Sequence, residues 1–435
     1  MLPVMKWAGG MLSHMQHCDL IVAGAGPSGM MAAITAARRG WRVLLLEKLP
    51  HPGAKLRASG GGRCNVTNTL DTAEFIGRFG REGRFMKPAL ETFDHRALIA
   101  FLAGIGVQTH APDGFRVFPV THSSTTVTSA LEAELARLGV EIATGRPVKA
   151  LRFVNGRVAG METTDHSYSS DYIVIATGGL GYPALGASGD GHTLARAAGH
   201  TVTELFPAML PLKTKETWMK NCRADTIGKA ELRIVLPKAT HVHAVGDLIF
   251  TNEGIRGPVV LDLAREITPL LARHGEVPLL VNLTKGRNEE DIRAHFRKHI
   301  QEFTRRTIGE LVATLVSAPL SRELCLLAGV DPLLAPGRVH APLRDRLIKL
   351  LAWTPLTVTG HGGFEQAMVT RGGVSLKEIR PETLESRLVK GLFFCGEVLN
   401  LDGPCGGFNL QWAFASGFLA GHIGAAPPTT QGGER

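Results

Sequence analysis

The stretch from residue 19 to residue 48 constrains the fold of this chain more than any other part. It reads DLIVAGAGPSGMMAAITAARRGWRVLLLEK. The apolar run Leu20–Ala23 leads into a glycine-rich turn at residues 24–29, and apolar residues then recur at helical spacing until the ARRG segment. Basic residues followed by glycine are typical of a helix C-terminus. A second apolar run, Val43–Leu46, stops at Glu47, so the stretch predicts a strand, a glycine turn, a helix, a second strand and an acid.

Each part of this pattern suits the binding of a dinucleotide. Gly24 allows the tight turn, Gly26 lets a pyrophosphate approach the backbone, and Gly29 lets the helix pack closely on the strand. The helix N-terminus offers N–H groups and a positive dipole end to phosphates. Glu47 follows Gly29 by 18 residues, where a carboxylate can accept hydrogen bonds from an unphosphorylated ribose, as in FAD or NAD. The predicted cofactor contacts in this stretch are Gly24, Gly26, Pro27, Ser28, Gly29, Glu47 and Lys48.

The composition describes an ordinary globular protein with a basic surplus. The 435 residues suffice for two or three domains, and 44% are hydrophobic and 20% charged. The formal net charge of +9 is compatible with a polyanionic partner, although a solvated basic surface is the favoured explanation. Six scattered cysteines without a CxxC pair predict a reduced, cytoplasmic chain without a zinc site.

The chain ends and the lack of long apolar runs complete this picture. Residues 1–17 have no long apolar core and are predicted to be a loose extension, with translation starting at Met11 or Met15 as an alternative. No run of about 18 apolar residues exists, so no membrane span is predicted.

A second glycine-rich segment, GAKLRASGGGRCNVTN, follows at residues 53–68. Three consecutive glycines flanked by Arg57 and Arg63 predict a loop that approaches an anion or a flavin, and the alternative is a flexible surface loop. The predicted cofactor contacts here are Lys55, Gly62, Arg63 and Asn65. Further along, Arg78, Arg81, Arg84 and Lys87 are three residues apart and would form a basic stripe on one helical face.

The third glycine segment follows a buried strand. Residues 171–179, DYIVIATGG, predict a parallel strand that ends at Thr177, Gly178 and Gly179, all three of which are predicted cofactor contacts. The GLGYPA segment after them superficially matches a dinucleotide turn, but its proline and the lack of an immediate helix argue against a second such fold. A nicotinamide cofactor is therefore predicted to visit the protein rather than to reside on it.

The segments that follow predict a discontinuous domain. Residues 205–355 read as an insert of short strands followed by helices, with separate strands predicted at residues 240–245 and 248–251. The two flanking parts, residues 18–204 and 356–425, would form one cofactor-binding domain, and residues 426–435 would be a tail.

The last block again combines a strand, an acid, a glycine loop and a helix, at residues 391–417. Glu397 can hold the polyol of a flavin, and Gly406 and Gly407 open a helix whose dipole can stabilise negative charge on a reduced flavin. The aromatic rings of Phe408, Trp412 and Phe414 are predicted to lie in the core. The predicted cofactor contacts are Gly396, Glu397, Gly406, Gly407 and Phe408.

These segments together resemble one family, the NAD(P)/FAD-dependent oxidoreductases that include the BaiN-type flavoproteins and the RdsA-type ribosomal RNA dihydrouridine synthases. The resemblance extends over nearly all of the chain after residue 18, and GGGRCNVTN and GLFFCGEVLN…GGFNLQ are its most specific motifs. It implies an α/β fold with a Rossmann-like, two-dinucleotide-binding-type FAD domain and an inserted β-barrel and helical module. It also implies FAD as the cofactor and NAD(P)H as the transient reductant. By the same resemblance, Asp402 and Asn409 would contact the flavin half of FAD, and Gly178 and Gly179 would lie along the cofactor.

Three functions remain open at this stage. The first is reduction of an activated C=C bond, with a uridine in 23S ribosomal RNA as the favoured substrate and Cys64 as the candidate proton donor. The second is a small-molecule enone reductase or amine oxidase that acts without RNA. The third is an RNA-associated protein that keeps FAD for structure. The residues do not predict an oligomeric state.

Overall fold

A computed structural model of the chain describes residues 16–223, 225–300 and 306–424. The predicted tail at residues 426–435 and most of the predicted extension at residues 1–17 lie outside these residues. The described part of the predicted extension, Gln16–His17, is a short strand that pairs with residues 168 and 169. The predicted extension therefore includes two residues that belong to a sheet. The chain divides into two units. We call the part up to Glu204 together with the part from Gly372 onward the sheet unit, and Leu205–Arg371 the barrel unit.

The described residues contain short strands and mostly short helices. In chain order, the strands are β1 (Gln16–His17), β2 (Leu20–Ala23), β3 (Val43–Leu46), β4 (Thr67–Asn68), β5 (Thr109–His110), β6 (Arg116–Pro119), β7 (Glu141–Ala143), β8 (Ala150–Val154), β9 (Arg157–Glu162), β10 (Ser167–Ser169), β11 (Ile173–Ile175), β12 (Phe206–Ala208), β13 (Leu212–Thr214), β14 (Thr226–Ile234), β15 (His243–Phe250), β16 (Gly254–Arg256), β17 (Val277–Asn282), β18 (Thr354–His361), β19 (Val369–Arg371) and β20 (Leu392–Phe394). The α-helices are α1 (Pro27–Arg38), α2 (Ala54–Ala58), α3 (Thr72–Gly77), α4 (Lys87–Thr92), α5 (His95–Gly104), α6 (Ser124–Arg137), α7 (Asp190–Ala197), α8 (Pro258–His274), α9 (Glu289–His299), α10 (Ile308–Val312), α11 (Ala318–Ala328), α12 (Ala341–Ala352) and α13 (Phe408–Ala420).

A parallel sheet of five strands forms the centre of the sheet unit, in the order β20-β11-β2-β3-β7. Its strands β2, β3, β11 and β20 are buried along their whole length, as expected for a parallel sheet covered on both faces. The last strand, β20, pairs directly with β11, so the C-terminal part of the chain completes the sheet that the N-terminal part begins. The predicted discontinuous α/β domain is confirmed.

Helices α1 and α13 pack closely because small residues face each other. A Cβ atom at Gly417 would lie 2.2 Å from the Ser28 carbonyl oxygen, and one at Gly421 would lie 2.6 Å from the Ala32 carbonyl oxygen. Trp412 and Phe414 of α13 are fully buried, and Phe408 nearly so, which confirms their prediction as core residues. The two helices, one from each end of the chain, therefore pack together within the sheet unit.

A second sheet of the same unit has the order β1-β10-β9-β8. Strands β8 and β9 form an antiparallel hairpin around Asn155 and Gly156, both of which have positive φ. This backbone geometry is the one that an Asn-Gly turn favours in a two-residue hairpin.

The barrel unit contains a closed barrel with the strand order β13-β16-β15-β14-β17-β18. Helices α8 to α12 belong to the same unit and contribute buried residues to its core. Two predictions are wrong here. The strands predicted at residues 240–245 and 248–251 are one strand, β15, because β14 pairs with it on both sides of a bulge near Asp247. The insert ends at Arg371 rather than at residue 355, because β18 pairs with β17 and β13 to close the barrel.

Across the described ranges, no helix combines the length and the apolar character that crossing a lipid bilayer requires.

Candidate functional site

The first glycine turn joins β2 to α1, and its three glycines lie in different surroundings. Gly24 has a φ of +101°, and a Cβ there would lie 2.6 Å from the Ala176 carbonyl oxygen. A Cβ at Gly29 would lie 1.8 Å from the Gly24 carbonyl oxygen. A Cβ at Gly26, by contrast, would meet no atom within 4 Å. Gly24 and Gly29 therefore allow the backbone to pack, whereas Gly26 leaves space beside the N-terminus of α1, whose first turn has no side-chain cap.

Glu47 is fixed beside this turn by backbone groups. The Ala25 N–H donates to its Oε2 and the Leu49 N–H donates to its Oε1, both at 2.9 Å. Each carboxylate oxygen has a second lone pair, so the acid can still accept hydrogen bonds from a ribose. Lys48 is engaged by protein groups, because its Nζ lies 2.7 Å from Asp190 Oδ2 and also contacts the Ser188 hydroxyl.

The second glycine segment forms a short 3₁₀ turn, Ser59–Gly62, in which all three glycines have positive φ. Cβ atoms at Gly61 and Gly62 would meet nothing within 4 Å, so this backbone faces open space. The exposed guanidinium group of Arg63 lies over the Phe118 ring at 5.6 Å from its centroid. Lys55, on the preceding helix α2, donates to Glu397 Oε2 at 2.8 Å.

Cys64 lies beneath the glycine segment rather than on its surface. Its side chain is fully buried and its backbone has a φ of +60°. Burial raises the pKa of its thiol to about 11, against a smaller opposite effect of the Ser59 hydroxyl. An activated thiol needs a lowered pKa and access to its substrate. The catalytic role of Cys64 stays a prediction, and its burial argues against it.

Asn65 and Asn68 connect this segment to the C-terminal glycine loop. In the amide orientation that satisfies both ends of the side chain, Asn65 accepts from the Gly407 N–H at 3.0 Å and donates to the Thr67 and Val117 carbonyls. The Asn68 amide donates to the Gly406 carbonyl at 2.9 Å. Both asparagines therefore fix the backbone immediately before α13.

The C-terminal block is held together by further close contacts. A Cβ at Gly396 would lie 2.5 Å from the Ser28 hydroxyl of α1. Asn409 accepts from the Gly403 N–H at 2.8 Å and donates to the Gly403 carbonyl at 2.9 Å, which closes the loop before α13. Asp402 lies in this loop and is buried. Helix α13 begins after Gly407, which has a φ of +84° and no side-chain cap.

The strand β11 brings the third glycine segment to the same region. A Cβ at Gly191 would lie only 2.1 Å from the Thr177 hydroxyl, so the first turn of α7 packs directly on that side chain. Gly178 has a φ of +73° and Gly179 is buried. The predicted contact residues of all four segments thus belong to one unit and to loops that follow strands or open helices.

Sequence reasoning missed Asn68, Ser188 and Asp190. For Asn68, the available signal was the sequence NVTN, in which asparagine occurs twice. The second asparagine, Asn68, is fully buried in β4. For Ser188 and Asp190, the signal was the SGDGH segment, which combines a small polar residue, an acid and glycines at the start of a helix. The glycine turns before α1 and α13 have a similar pattern.

Comparison with known proteins assigns the family. Residues 18–423 match the HI0933-like protein Rossmann domain. This chain belongs to the HI0933-like family. It is 31% identical over 409 residues to a 3-dehydro-bile acid delta(4,6)-reductase of Clostridium scindens, across 94% of this chain and 99% of that protein. It is 28% identical over 411 residues to a ribosomal RNA dihydrouridine synthase of Escherichia coli K12, across 92% and 96% of the two chains.

A solved structure supports the fold. The 3-ketosteroid delta1-dehydrogenase of Sterolibacterium denitrificans superimposes with a TM-score of 0.53 at 14% sequence identity, covering 94% of this chain and 99% of that chain. The fold is that of a Rossmann-type FAD-binding domain, and the family member described here is a flavin-dependent oxidoreductase with FAD as its cofactor.

The residues present fit this cofactor. The free space at Gly26 lies where α1 begins, as an approaching pyrophosphate requires, and the carboxylate of Glu47 is fixed next to it. Glu397 follows Gly396, which packs against Ser28 in the first turn of α1, and α13 begins at the C-terminal glycine loop of the same unit. Within the described ranges, no cluster of three or more His, Cys, Asp or Glu side chains is arranged to hold a metal ion.

Proposed function

We propose that this protein uses NAD(P)H to reduce an activated carbon–carbon double bond. The observation that carries the proposal is the full-length similarity to two kinds of relative, a bile-acid delta(4,6)-reductase and a ribosomal RNA dihydrouridine synthase. Both names describe reduction of a C=C bond, although their substrates differ greatly in size. A reaction type that two such relatives have in common is a better inference for this chain than either substrate.

The residues of the chain would supply binding and orientation. Gly24, Gly26 and Glu47 would hold the adenosine diphosphate half of FAD, and Lys55 and Glu397 would fix the polyol of the flavin half. When bound, FAD supplies the hydride chemistry. The N-terminus of α13, positioned by Asn65 and Asn68, would place its positive dipole end toward the ring system and favour its reduced, negatively charged form.

The favoured substrate is a uridine in 23S ribosomal RNA. The formal net charge of +9 supports an RNA substrate bound through its phosphates. Arg81 and Arg84 are exposed on the 3₁₀ helix Gly80–Met86, in which residues three apart lie on one face. Arg78 and Lys87 flank them, but each has an acidic neighbour, Glu74 and Glu91 respectively.

A second candidate is reduction of a small-molecule enone. The 31% identity to the bile-acid reductase, over 99% of its length, favours this substrate class. It predicts turnover without RNA and a weak dependence on salt, because a small substrate with at most one charge releases few counterions on binding.

One experiment separates the two. The purified holoprotein is reduced anaerobically with NADH or NADPH while its flavin absorbance near 450 nm is recorded. Reoxidation is then followed after adding either 23S rRNA from a strain that lacks its own dihydrouridine synthase or a steroidal dienone. Rapid reoxidation by the unmodified rRNA, with none by fully modified rRNA, supports the first substrate. Reoxidation by the dienone and not by rRNA supports the second, and a flavin that neither nucleotide reduces contradicts the proposal.

A further inference from the structure

Two histidines of the sheet unit form a hydrogen-bonded pair. His110 ends β5 and His122 lies between β6 and α6, and their Nε2 atoms are 3.0 Å apart. The two rings meet nearly edge to face, at an interplanar angle of 77° and with their centroids 4.6 Å apart. His110 is half-buried and His122 is exposed, so a molecule in solution can reach the pair.

The main chain fixes the residues that carry both rings. His110 pairs with Phe118 in the antiparallel β5–β6 ladder, and the His122 N–H donates to the Pro119 carbonyl at 2.9 Å. His122 has a φ of +48°, in the left-handed region that few residues other than glycine adopt. The contact between the two Nε2 atoms is therefore made from two segments whose backbones are held by the same strand.

Phe118 connects this pair to the second glycine segment. The centroid of its buried ring lies 5.8 Å from that of the His122 ring and 5.6 Å from the guanidinium carbon of Arg63. A Cβ at Gly60 would lie 4.0 Å from Phe118 Cε1, so the same ring also packs on the backbone of the segment. One aromatic ring thus lies between the histidines and the glycine backbone that faces open space.

The hydrogen bond makes the pair suited to hold one transferable proton. A bond between two Nε2 atoms requires one ring to donate and the other to accept. When one ring becomes an imidazolium, it donates to the neutral ring through a charge-assisted bond, which is stronger than a neutral one. Repulsion between like charges opposes a second proton. Imidazole is also the commonest general acid in enzymes, because it exchanges protons near neutral pH.

The proposed reaction needs such a proton. Both candidate substrates, a uridine and a steroidal dienone, contain a C=C bond conjugated to a carbonyl group. A hydride, which NAD(P)H supplies through FAD, adds to the carbon remote from the carbonyl and leaves an enolate. A proton then adds to the neighbouring carbon and restores the carbonyl group. The C=C π bond is replaced by two C–H bonds, NAD(P)H is oxidised, and the proton donor recovers its proton from water.

We propose that His122 is the proton donor for this step and that His110 is its positioning partner. The proton leaves from Nδ1 of His122, because its Nε2 is engaged by His110. The exposed ring of His122 can meet a substrate, whereas the thiol of Cys64 is fully buried. The inference rests on the proposed reduction of a C=C bond and on the predicted place of the glycine segment beside the cofactor.

A first test locates the pair without turnover. The oxidised holoprotein is treated with diethyl pyrocarbonate, without NAD(P)H, and the modified histidines are quantified by mass spectrometry. The probe is whichever of unmodified 23S rRNA and the steroidal dienone reoxidises the reduced flavin. We expect it to slow the modification of His122 at least about threefold, because a bound ligand buries the surface that it contacts. His274, exposed at the end of α8, should react at an unchanged rate.

A second test separates the two half-reactions under anaerobic conditions. H122N keeps a residue that tolerates the left-handed backbone but cannot donate this proton. Flavin reduction by NAD(P)H should stay within about twofold of the wild type, whereas reoxidation by the substrate should slow about a hundredfold. H110N should slow reoxidation about tenfold, because His122 then lacks its partner. H274N is the matched control and should change neither rate. In H122G, added imidazole should restore part of the lost reoxidation rate.

Each contrary result is distinct. Unchanged modification of His122 in the presence of the probe, or wild-type reoxidation by H122N, would overturn the inference and leave the C=C reduction intact. Slowing of both half-reactions in H122N, without rescue of H122G by imidazole, would also overturn it, because a general loss of structure would then explain the effect. A wild-type flavin that neither nucleotide reduces, or that neither substrate reoxidises, contradicts the proposed function instead. The modification experiment uses wild-type protein and so decides the question if the variants fold poorly.

Discussion

Lys55 and Glu397 are 342 positions apart in the sequence, and their side chains form an ion pair with Nζ and Oε2 2.8 Å apart. The pair joins α2, in the N-terminal part of the sheet unit, to the turn after β20, in the C-terminal part. About a quarter of each side chain is exposed. It is therefore a direct link between two segments that are both predicted to hold the flavin half of the cofactor.

Removal of this link should weaken FAD binding more than it weakens the fold. We expect K55M to raise the Kd for FAD about tenfold, because one charge-assisted hydrogen bond is lost and the Glu397 carboxylate is no longer fixed. Titration of FAD into stripped protein, followed by flavin fluorescence, measures this. K213M is the matched control, since it breaks the similar pair with Glu253 in the barrel unit and should leave the Kd unchanged. Equal Kd values for K55M and the wild type would contradict the role of the pair.

Two glycines of the first turn should respond to alanine in opposite ways. Gly26 has a φ of −77° and open space around its Cβ position, so G26A should fold with an unchanged Tm. Its methyl group would occupy the space that a pyrophosphate needs, and we expect at least about a tenfold loss of FAD affinity. G29A should fail to fold, because its methyl group would overlap the Gly24 carbonyl.

Thermal unfolding of the stripped proteins and FAD titration together check this pair of variants. G77A is the control, because that glycine also has open space at its Cβ position but lies outside the predicted site. An FAD affinity in G26A equal to that of G77A would show that the free space at Gly26 is not used by the cofactor.

The cysteines should differ sharply in reactivity. Five of the six are buried, and Cys405 is partly exposed. The pKa values of the buried Cys64 and Cys395 thiols are raised by desolvation, to about 11 and about 12. At pH 8 we therefore expect one thiol to react rapidly with a disulfide reagent in the native protein, and C405S to abolish that phase.

Cys64 itself is tested by replacement. We expect C64A to retain turnover within about threefold while losing about 1 kcal/mol of stability through the small cavity it creates. The measurements are NAD(P)H-dependent turnover and urea denaturation. A loss of turnover of a hundredfold or more with FAD still bound would instead support Cys64 as the proton donor.

Glu134 should make stability depend on pH. Its carboxylate is 6% exposed and accepts hydrogen bonds from Arg137 and from Arg38 of α1. Arg137 first, and then Arg38, outweigh desolvation and lower the pKa of Glu134 from 4.5 to about 2. Because the folded pKa is the lower one, the unfolded chain binds the proton more tightly. The stabilisation is complete above pH 4.5 and is lost as the pH falls toward 2.

We expect E134Q to lower the free energy of unfolding by about 2 kcal/mol at pH 7, with a smaller difference from the wild type at pH 3.5. Urea denaturation across this range measures it. E91Q, which breaks an exposed pair with Lys87, should change stability by less than about 0.5 kcal/mol at either pH. A difference between E134Q and the wild type that stays constant with pH would contradict the lowered pKa.

The parts of this fold that the sequence predicts are those determined by neighbouring residues. Leu20–Ala23, the glycine turn and the helix after it form as predicted, because strand length, glycine conformation and helical spacing are local. The contacts of Asn65 with Gly407 and of Lys48 with Asp190 depend on how distant segments meet, which no local pattern contains. The boundary at Arg371 was missed for the same reason, since β18 is recognisable only by its partners in the barrel.

The exposed arginines offer the sharpest test of an RNA substrate. Arg81 and Arg84 are both exposed, and no ion pair of either is found among the described residues, so R81A/R84A should fold normally. If each contacts one phosphate, the slope of log Kd for rRNA against log salt concentration should fall by about 1.5. Reduction of the flavin by NAD(P)H should not change, because it involves no RNA.

K213A/K215A is the control, because it removes two cations from the barrel unit and so tests whether any loss of positive charge lowers the slope. An unchanged slope in R81A/R84A would place the RNA contacts elsewhere. Salt-independent turnover of a dienone by the wild type and both variants would favour the small-molecule substrate.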